Sequence, residues 1–424
     1  MTETYGRATQ SEIYLAGVSG RMPAVPVSAA RLEAAARRKL SSKAWAYVAG
    51  SSGAETTASA NLEAFRRWKI VPRMLRDAAE RDLSVELFGR RLPAPLLAAP
   101  IGVLDLAHPS ADLAIARASA SLGIPYILSS QASVPMESVA AAMGGSPRWF
   151  QLYWSSSDDL VASLVDRAER SGAEAIVVTL DTHTLGWRPR DLDFAYLPFA
   201  HGRGIAQYTS DPVFRDLVAE RLAAAPQSGK QRITPSAINA LVNISRNHPG
   251  RFAANLRSLA PRVAVQTFLD VFSRPSLSWP DLAFLRERTR LPILLKGIQH
   301  VDDAERALDE GMDGIIVSNH GGRQVDGAIA SLDVLPEIVD RVGGRSPVLF
   351  DSGIRTGADA FIALALGADA VLVGRPYVYG MALAGETGAR EVLRNLAAEL
   401  DLLLGLTGHG SIGELDRDSI RRVD

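Results

Sequence analysis

The sequence predicts an α/β protein in which eight parallel strands and their helices close into a single (β/α)8 barrel. Three observations lead to this prediction. Eight short apolar or β-branched runs recur along the chain, and most are followed by an alanine-rich stretch of helical character. Several of these helical stretches end in glycine, which readily takes the left-handed turn past a helix end. The 424 residues, 47% of them hydrophobic, suffice for one large barrel with insertions.

The strand and helix candidates alternate in chain order, as in a TIM barrel. The strand candidates are LLAAPI (96–101), IPYILSS (124–130), RWFQLYW (148–154), AIVVTLD (175–181), PILLKG (292–297), DGIIVSN (313–319), PVLFDS (347–352) and DAVLVG (369–374). The clearest helix candidates between them are DLAIARASASLG (112–123), DLVASLVDRAERSG (159–172), VDDAERALDEG (301–311) and TGADAFIALALG (356–367).

Two regions do not follow the alternation. Residues 1–90 form an N-terminal extension with its own helix at 30–40, and we expect it to pack on the barrel formed by residues 91–424. About 110 residues separate the fourth and fifth strands, which predicts an insertion at about 190–275. Loops of this length in a compact domain are usually functional lids or disordered segments. The stretch at 278–289 is predicted to be the helix that leads back into the fifth strand.

The composition excludes several classes of function. The formal net charge of −1 indicates neither a nucleic-acid partner nor an anionic membrane surface. The absence of cysteine excludes disulfides, thiolate catalysis and cysteine-ligated metals, and we expect no metal site. The sequence does not begin with a basic segment followed by an apolar run, and it contains no run of about 18 apolar residues. We therefore expect a cytoplasmic protein without a membrane segment.

Polar residues and glycines occur where the predicted strands end, and in barrels of this kind the active site lies at the carboxyl ends of the strands. These residues are Ala99, Pro100, Ile101, Gly102, Ser129, Gln151, Tyr153, Thr179, Asp181, Lys296, Ser318, His320, Asp351, Gly374 and Arg375. A solvated rim is the alternative for any one of them. Lys296 is harder to explain in that way, because a lysine that ends an apolar run is costly to bury without an anion or dipole. Gln151 and Thr179 also interrupt apolar runs, and a ligand rich in carbonyls and ring nitrogens would supply their hydrogen-bond partners.

The last two strand ends are typical of a phosphate site. DSGIRTGAD (351–359) places Gly353 and Arg355 just before a predicted helix, and GRP (374–376) follows the eighth strand. Barrels commonly bind phosphate at these two loops through backbone N–H groups and a helix N-terminus. Ordinary turn chemistry is the alternative explanation.

The segment SNHGGRQVDG (318–327), with LKGIQH (295–300) before it and residues 351–376 after it, resembles the FMN-dependent α-hydroxy-acid oxidising family. The resemblance runs from about residue 30 to the C-terminus. Other segments are most similar to the lactate 2-monooxygenase branch: YVAGSSGAE (47–55), VPRMLRDAAERDLSVELFG (71–89), APIGV (99–103), DTHTLGWRPRD (181–191) and YTSDPVF (208–214). The stretch 225–265 departs from the family pattern, which leaves loop contacts and substrate size open.

The resemblance implies catalytic roles for three residues. His320 is the expected active-site base, and Asp181 is expected to stabilise its protonated form. Lys296 is expected beside flavin N1 and O2, where a fixed ammonium group stabilises negative charge.

The same resemblance implies substrate and cofactor contacts. Arg323 and Arg188 are expected to bind the substrate carboxylate, since a guanidinium group can donate two parallel hydrogen bonds. Tyr47 and Tyr153 are expected to hydrogen-bond the substrate. The remaining implied FMN contacts are Ala99, Pro100, Ile101, Gly102, Ser129, Gln151, Thr179, Ser318, Asp351, Gly353, Arg355, Gly374 and Arg375.

The favoured function is the oxidation of an L-2-hydroxy acid, with L-lactate and O2 giving acetate, CO2 and water. The alternatives are an oxidase that releases pyruvate and H2O2, a dehydrogenase linked to a quinone or cytochrome, and a catalytically silent flavin-binding protein. We expect a gap at Gly102, under a lid formed by residues 199–214, to retain peroxide and pyruvate until they react with each other. The alternative is that Gly102 is a turn glycine with positive φ. The family also implies a homo-oligomer, a tetramer or octamer.

Overall fold

A computed structural model of the protein describes residues 4–224 and 234–423. Its strands are β1 (Trp68–Ile70), β2 (Val85–Leu87), β3 (Arg90–Leu92), β4 (Leu96–Ala98), β5 (Tyr126–Ser129), β6 (Arg148–Leu152), β7 (Ile176–Thr179), β8 (Ile293–Ile298), β9 (Gly314–Val317), β10 (Val348–Phe350), β11 (Ala370–Val373) and β12 (Ile420–Arg422). Strands β4 to β11 pair in parallel, in chain order, and close on themselves. Each overlaps one of the predicted strands, so the predicted (β/α)8 barrel is confirmed.

The helices surround the barrel and also form the two additions to it. They are α1 (Tyr5–Val18), α2 (Ala29–Lys39), α3 (Ser42–Ala49), α4 (Thr56–Arg66), α5 (Ala111–Leu122), α6 (Met136–Met143), α7 (Asp158–Arg170), α8 (Pro189–Asp193), α9 (Ala206–Thr209), α10 (Pro212–Ala224), α11 (Pro235–Asn247), α12 (Phe252–Arg257), α13 (Ala260–Val271), α14 (Asp281–Arg286), α15 (Val301–Asp309), α16 (Ser331–Val342), α17 (Gly357–Ala365) and α18 (Arg375–Thr407). None of these described helices is long and apolar enough to cross a membrane.

The barrel interior is layered. A buried apolar layer is separate from the outer core and includes Ile127, Trp149, Val177, Leu294, Ile316 and Leu349. Side chains alternate between the two faces of a strand, so the residues two positions further on also face inward. Those residues are Ser129, Gln151, Thr179, Lys296, Ser318 and Asp351. The polar interruptions of the apolar runs therefore form one layer at the carboxyl end of the barrel.

The N-terminal residues contact the barrel at several places. Helices α1 and α2 pack on α18, where the backbone N–H of Gly6 donates to Asp401 over 2.8 Å. The β2–β3 hairpin covers the amino end of the barrel, where Phe88 lies 5.7 Å from Trp149, ring to ring. Helix α4 lies at the opposite end, because the Asn61 and Asn319 side chains exchange two hydrogen bonds of 2.8 Å.

The long connection between β7 and β8 is mostly helical, from α8 to α14. The rings of Phe199 and Tyr208 lie 5.3 and 4.7 Å from that of Phe268, in a shared aromatic cluster. Residues 199–209 also contact the barrel loops, since the N–H of Ala206 donates to the carbonyl of Ala132 over 3.2 Å. This part of the predicted insertion is therefore packed over the carboxyl end of the barrel. Residues 225–233 of the insertion lie outside the described residues.

Candidate active site

A cleft of about 1100 Å³, open to solvent, lies at the carboxyl end of the barrel. Most of the predicted site residues line it: Tyr47, Ala99, Pro100, Ile101, Gly102, Gln151, Tyr153, Thr179, Arg188, Lys296, His320, Arg323, Asp351, Gly353, Arg355, Gly374 and Arg375. The other three, Ser129, Asp181 and Ser318, are hydrogen-bonded directly behind lining residues. The closed barrel thus brings the predicted residues to one place.

The SNHGG segment reaches the cleft through an unusual backbone. His320, Gly321 and Gly322 have φ values of 58°, 65° and 76°, in the left-handed region. For histidine this conformation costs of order 1 kcal/mol, so the surrounding structure has to hold it. The three N–H groups donate over 3.0–3.1 Å to side-chain oxygens of Ser318, Ser352 and Asn319, respectively. This local network explains why serine, asparagine and two glycines surround the histidine.

His320 and Asp181 form a hydrogen-bonded pair, with Nδ1 of the imidazole 2.7 Å from Oδ1 of the carboxylate. Burial lowers the pKa of His320 below its ordinary 6.5, although Asp181 acts in the opposite direction. Burial raises the pKa of Asp181, but His320 and Lys296 outweigh this effect and lower it overall. At neutral pH the pair is therefore a neutral imidazole and a carboxylate. With the proton on Nδ1, facing Asp181, the Nε2 atom is left to accept a proton.

These pKa directions predict how the reaction depends on pH. A base with a lowered pKa is neutral, and can accept a proton, at any pH above that pKa. It becomes protonated and inactive only as the pH falls through the pKa. The rate of a reaction that uses His320 as its base should therefore decline only below pH 6.5, the ordinary pKa of histidine. Asp181→Asn should move this decline to lower pH, because the carboxylate raises the pKa of His320. Anaerobic stopped-flow measurements across the acidic range check both statements. A decline centred above the ordinary histidine value would contradict them.

Four arginines line the cleft without an ion-pair partner among the described residues, and two of them, Arg188 and Arg323, are neighbours. No ion pair within residues 4–224 and 234–423 includes Arg188 or Arg323. Arg323 Nη1 donates to the carbonyls of Tyr47 and Gly50 over 2.6 and 2.7 Å, which leaves its other N–H groups free for a ligand. Burial and the neighbouring Arg323 lower the pKa of Arg188 to about 10. Buried cations are costly when unpaired, so this wall of the cleft is suited to an anion such as a carboxylate.

Two tyrosines complete the same wall. Tyr47 and Tyr153 are each 7% exposed. Burial raises the pKa of both phenols, so they remain hydrogen-bond donors at neutral pH. The guanidinium carbon of Arg323 lies 5.2 Å from the centre of the Tyr47 ring. Tyr47 belongs to α3, so the N-terminal region contributes a side chain to the cleft.

The floor of the cleft fits a flat polar ring system. Nε2 of Gln151 and Oγ1 of Thr179 are buried without a hydrogen-bond partner among the described residues. Oε1 of Gln151 is already taken, because it accepts from Ser129 over 3.0 Å. The unpartnered groups require a ligand with carbonyl or ring-nitrogen atoms, as an isoalloxazine has. The chemistry of these donors therefore agrees with a flavin.

Lys296 is the buried cation beside this floor, 3% exposed. The sequence predicts that it needs an anion, and the structure supplies one, since Nζ lies 2.7 Å from Oδ2 of Asp351. Its second partner is Ser318 Oγ, also at 2.7 Å. The third ammonium proton is available to a ligand. Asp351, expected as an FMN contact, thus also serves as the counterion of Lys296.

The two loops predicted to bind phosphate differ in how the following helix is capped. The N–H groups of Arg355 and Thr356 both donate to Asp359 over 2.9 Å, so the start of α17 is already capped by the protein. The start of α18 has no side-chain cap, and Gly374 at that point lines the cleft. The start of α18 is therefore the less capped of the two helix starts at the predicted phosphate loops.

The side chain of Arg375 lines the cleft and is held there by protein groups. Its guanidinium group donates over 2.9–3.2 Å to the carbonyls of Val48, Gly50 and Gly321 and to Oγ of Ser51. These bonds attach the end of α3 to the active-site loop. The pKa of Arg375 is lowered to about 10, mainly because the guanidinium group is buried.

Sequence reasoning missed several lining residues, among them Thr182 and Gln131, and it included Phe199 only as part of the predicted lid at 199–214. Thr182 Oγ1 lies 3.1 Å from Oδ1 of Asp181 and 3.3 Å from Nδ1 of His320. Its position directly after Asp181 was the only available signal. Gln131 follows the predicted second strand, and Phe199 belongs to the insertion. Neither residue therefore occupies an inward-facing position of a predicted strand.

Gly102 has neither of the two properties that the sequence suggested. It is not among the residues with positive φ. A Cβ atom at this position would lie 2.9 Å from Cβ of Gln131 and 3.1 Å from its carbonyl oxygen. There is consequently no gap one methyl wide. Glycine is required because the loops after β4 and β5 approach each other closely.

Comparison with known proteins identifies the group to which these features belong. The sequence matches the FMN-dependent dehydrogenase family over residues 36–422. The chain belongs to this family. Its members oxidise 2-hydroxy acids with FMN, so the predicted family and cofactor are confirmed.

Individual relatives of this FMN-dependent family cover nearly the whole chain. The FMN-dependent alpha-hydroxy acid dehydrogenase qulF of Penicillium citrinum is 45% identical over 98% of this chain and 95% of its own. An L-lactate oxidase of Lysinibacillus sphaericus is 39% identical over 95% of each chain. A crystal structure of mandelate oxidase with (S)-4-hydroxymandelic acid, 36% identical, covers 93% of this chain and 98% of its own, with a TM-score of 0.75.

Proposed function

We propose that this FMN-dependent enzyme oxidises an L-2-hydroxy acid, with L-lactate and O2 converted to acetate, CO2 and water. The observation that carries the proposal is one cleft in which His320, held by Asp181, shares space with two guanidinium groups that lack counterions. A 2-hydroxy acid has a hydroxyl group next to a carboxylate and can use both features at once.

The roles of the residues follow from their geometry. Arg323 and Arg188 bind the substrate carboxylate, and the phenol groups of Tyr47 and Tyr153 orient the substrate. Nε2 of His320 accepts the hydroxyl proton while Asp181 stabilises the resulting imidazolium ion.

The cofactor has its own set of residues. FMN, when bound, would supply the acceptor for the C2 hydrogen and its bonding electron pair, while the hydroxyl proton goes to His320. Gln151 and Thr179 are the residues we propose to hydrogen-bond its ring, with Lys296 placing a fixed positive charge beside it. The start of α18 at Gly374 is the proposed phosphate site.

Retention of the product is supported by the packing of residues 199–209 over the cleft. Phe199 lines the cleft and is 3% exposed. At Gly204, a Cβ atom would lie 2.6 Å from the side chain of Val103 and 2.9 Å from the carbonyl of Gln131. Such close packing holds residues 199–209 over part of the cleft, which favours reaction of peroxide and pyruvate with each other before either leaves.

A simple oxidase that releases the keto acid and H2O2 is the second candidate. It is favoured by the names of relatives, which include L-lactate oxidase of Lysinibacillus sphaericus and 4-hydroxymandelate oxidase of Amycolatopsis orientalis, both 39% identical. The name dehydrogenase of the Penicillium citrinum relative leaves an acceptor other than O2 as a further outcome.

Product analysis with L-lactate under air distinguishes these outcomes. We expect one acetate and one CO2 per O2 consumed, and we expect added catalase to leave this ratio unchanged, because the peroxide does not reach the solvent. Catalase is essential, since free peroxide also decarboxylates pyruvate in solution. Pyruvate with an equal amount of H2O2 would establish the oxidase. Reduction of the flavin by L-mandelate but not by L-lactate would reassign the substrate.

Gly102→Ala tests whether the close packing of the two loops matters for product retention. The added methyl group must displace Gln131, and overpacking of this kind typically costs about 1–3 kcal/mol of folding free energy. Because Gly204 contacts the same carbonyl of Gln131, we also expect a larger share of pyruvate among the products. Thermal unfolding and product analysis check the two effects. Gly145→Ala is a matched control, since a Cβ atom there has no neighbour within 4 Å. A folded Gly102→Ala variant with unchanged products would contradict the role in retention.

A further inference from the structure

The side-chain amide of Gln324 makes four hydrogen bonds, all to one short segment. Its Nε2 donates to the carbonyls of Asp181 and Thr184 over 2.6 and 2.8 Å. Its Oε1 accepts from Nη2 of Arg188 over 2.7 Å and from the N–H of Gly186 over 3.3 Å. Both protons and both lone pairs of the amide are therefore used. All four partners belong to residues 181–188, called here the 181–188 loop.

The 181–188 loop carries two of the groups that define the site, Asp181 and Arg188. The loop after β9, to which Gln324 belongs, carries the other two, His320 and Arg323. These four residues keep their arrangement at the cleft only if the two loops keep a constant separation. Strand β7 ends at residue 179 and α8 begins at residue 189, so the barrel itself does not hold the 181–188 loop in place.

The close approach of the two loops is built into the backbone. A Cβ atom on Gly186 would lie 2.7 Å from the carbonyl oxygen of Arg323 and 2.8 Å from that of Gln324. Nε of Arg188 also donates to the carbonyl of Arg323 over 3.1 Å. The outer residues of the loop, including Leu185 and Trp187, are 41% and 73% exposed and contribute little packing. Gln324 thus supplies most of the hydrogen bonds between the loops.

We propose that Gln324 is a positioning residue, which keeps Asp181 against His320 and Arg188 beside Arg323. Gln324 does not line the cleft, so it acts through these residues and not on the substrate. A displacement of about 1 Å in a positioned group can cost about a hundredfold in rate. The inference rests on the reaction class of the family and holds for any 2-hydroxy acid substrate.

The test uses the FMN-loaded enzyme with Gln324→Met, which keeps the length of the side chain and removes all four hydrogen bonds. We expect the rate constant for anaerobic flavin reduction by L-lactate to fall at least about tenfold. We expect the Kd of propionate, a carboxylate without the hydroxyl group, to rise about tenfold, because Arg188 is no longer held. The decline of the reduction rate in acid should move to lower pH, because a displaced Asp181 no longer raises the pKa of His320.

Two further variants keep the test decisive. Gln299→Met is the control, since Gln299 donates only to the carbonyl of Ile329 over 3.0 Å and is not part of the site; it should leave all three quantities unchanged. Gln324→Glu keeps the two accepted hydrogen bonds and loses the two donated ones. We expect it to slow reduction as well, and it replaces Gln324→Met if that variant does not fold.

The outcomes separate this proposal from the proposed function. The positioning role would be overturned by a folded Gln324→Met variant in which the reduction rate, the propionate affinity and the decline of the rate in acid are all unchanged. Failure of both Gln324 variants to fold, with Gln299→Met normal, would also overturn it, because Gln324 would then serve the fold alone. If L-lactate fails to reduce the wild-type flavin, the substrate proposal is wrong, and propionate binding still decides the role of Gln324.

Discussion

Replacement of His320 by glutamine is expected to slow flavin reduction by L-lactate at least about a hundredfold while FMN stays bound. The reason is that His320 is the residue in the cleft whose neutral ring nitrogen can take the hydroxyl proton. Its partner Asp181, 2.7 Å away, would remain but would have no imidazolium ion to stabilise. Anaerobic stopped-flow reduction measures the loss, and the flavin absorbance of the purified variant measures FMN content.

The backbone at His320 calls for a second substitution in that experiment. Its φ of 58° suits asparagine better than most residues, so His320→Asn separates loss of the base from distortion of the loop. His183→Gln, at an exposed position in the 181–188 loop, is the control and should be nearly as fast as wild type. Reduction by His320→Asn at close to the wild-type rate would show that another group takes the proton.

The second large effect is expected for Arg323→Lys, which keeps the charge and loses the planar fork. Nη1 of Arg323 is held by the carbonyls of Tyr47 and Gly50, and this aims the rest of the group into the cleft. Removing one partner of a buried charged hydrogen bond costs about 2 kcal/mol or more, so kcat/KM for L-lactate should fall at least about 30-fold. Steady-state kinetics with measured FMN content checks this value.

Substitutions of two other arginines serve as comparisons for Arg323→Lys. Arg188→Lys should cause a similar loss, since both guanidinium groups lack a counterion. Arg190→Lys is the control, because Arg190 pairs with Glu55 and does not line the cleft. If Arg323→Lys leaves kcat/KM unchanged while Arg188→Lys abolishes it, the carboxylate is held by Arg188 alone.

The fold and much of the candidate site could be predicted because their signals are local. Eight apolar runs predicted the barrel, and the alternation of side chains along a strand placed Gln151, Thr179 and Lys296 inside it. The SNHGG segment carries most of its own requirements, since it contains two glycines and two of the three side-chain acceptors that hold the left-handed backbone around His320. The alternation of apolar residues along a strand and the residue preferences of a turn depend on residues only a few positions apart. Both can therefore be recognised in the sequence.

The pairings between distant residues could not be predicted in this way. Lys296 is matched with Asp351, and the guanidinium group of Arg375 donates to the protein. Gly102 is required by contact with Gln131, and no strand pattern indicates Phe199 as part of the cleft.

The sequence by itself thus determined the barrel and the layer of polar residues at its carboxyl end, and the family resemblance predicted His320 as the base. Only the tertiary structure decided which charges have partners and which loops are joined, as at Gln324 and Arg188. The physical reason is that a hydrogen bond or ion pair depends on distances of about 3 Å, and such distances are set by the packing of the whole chain and not by local spacing.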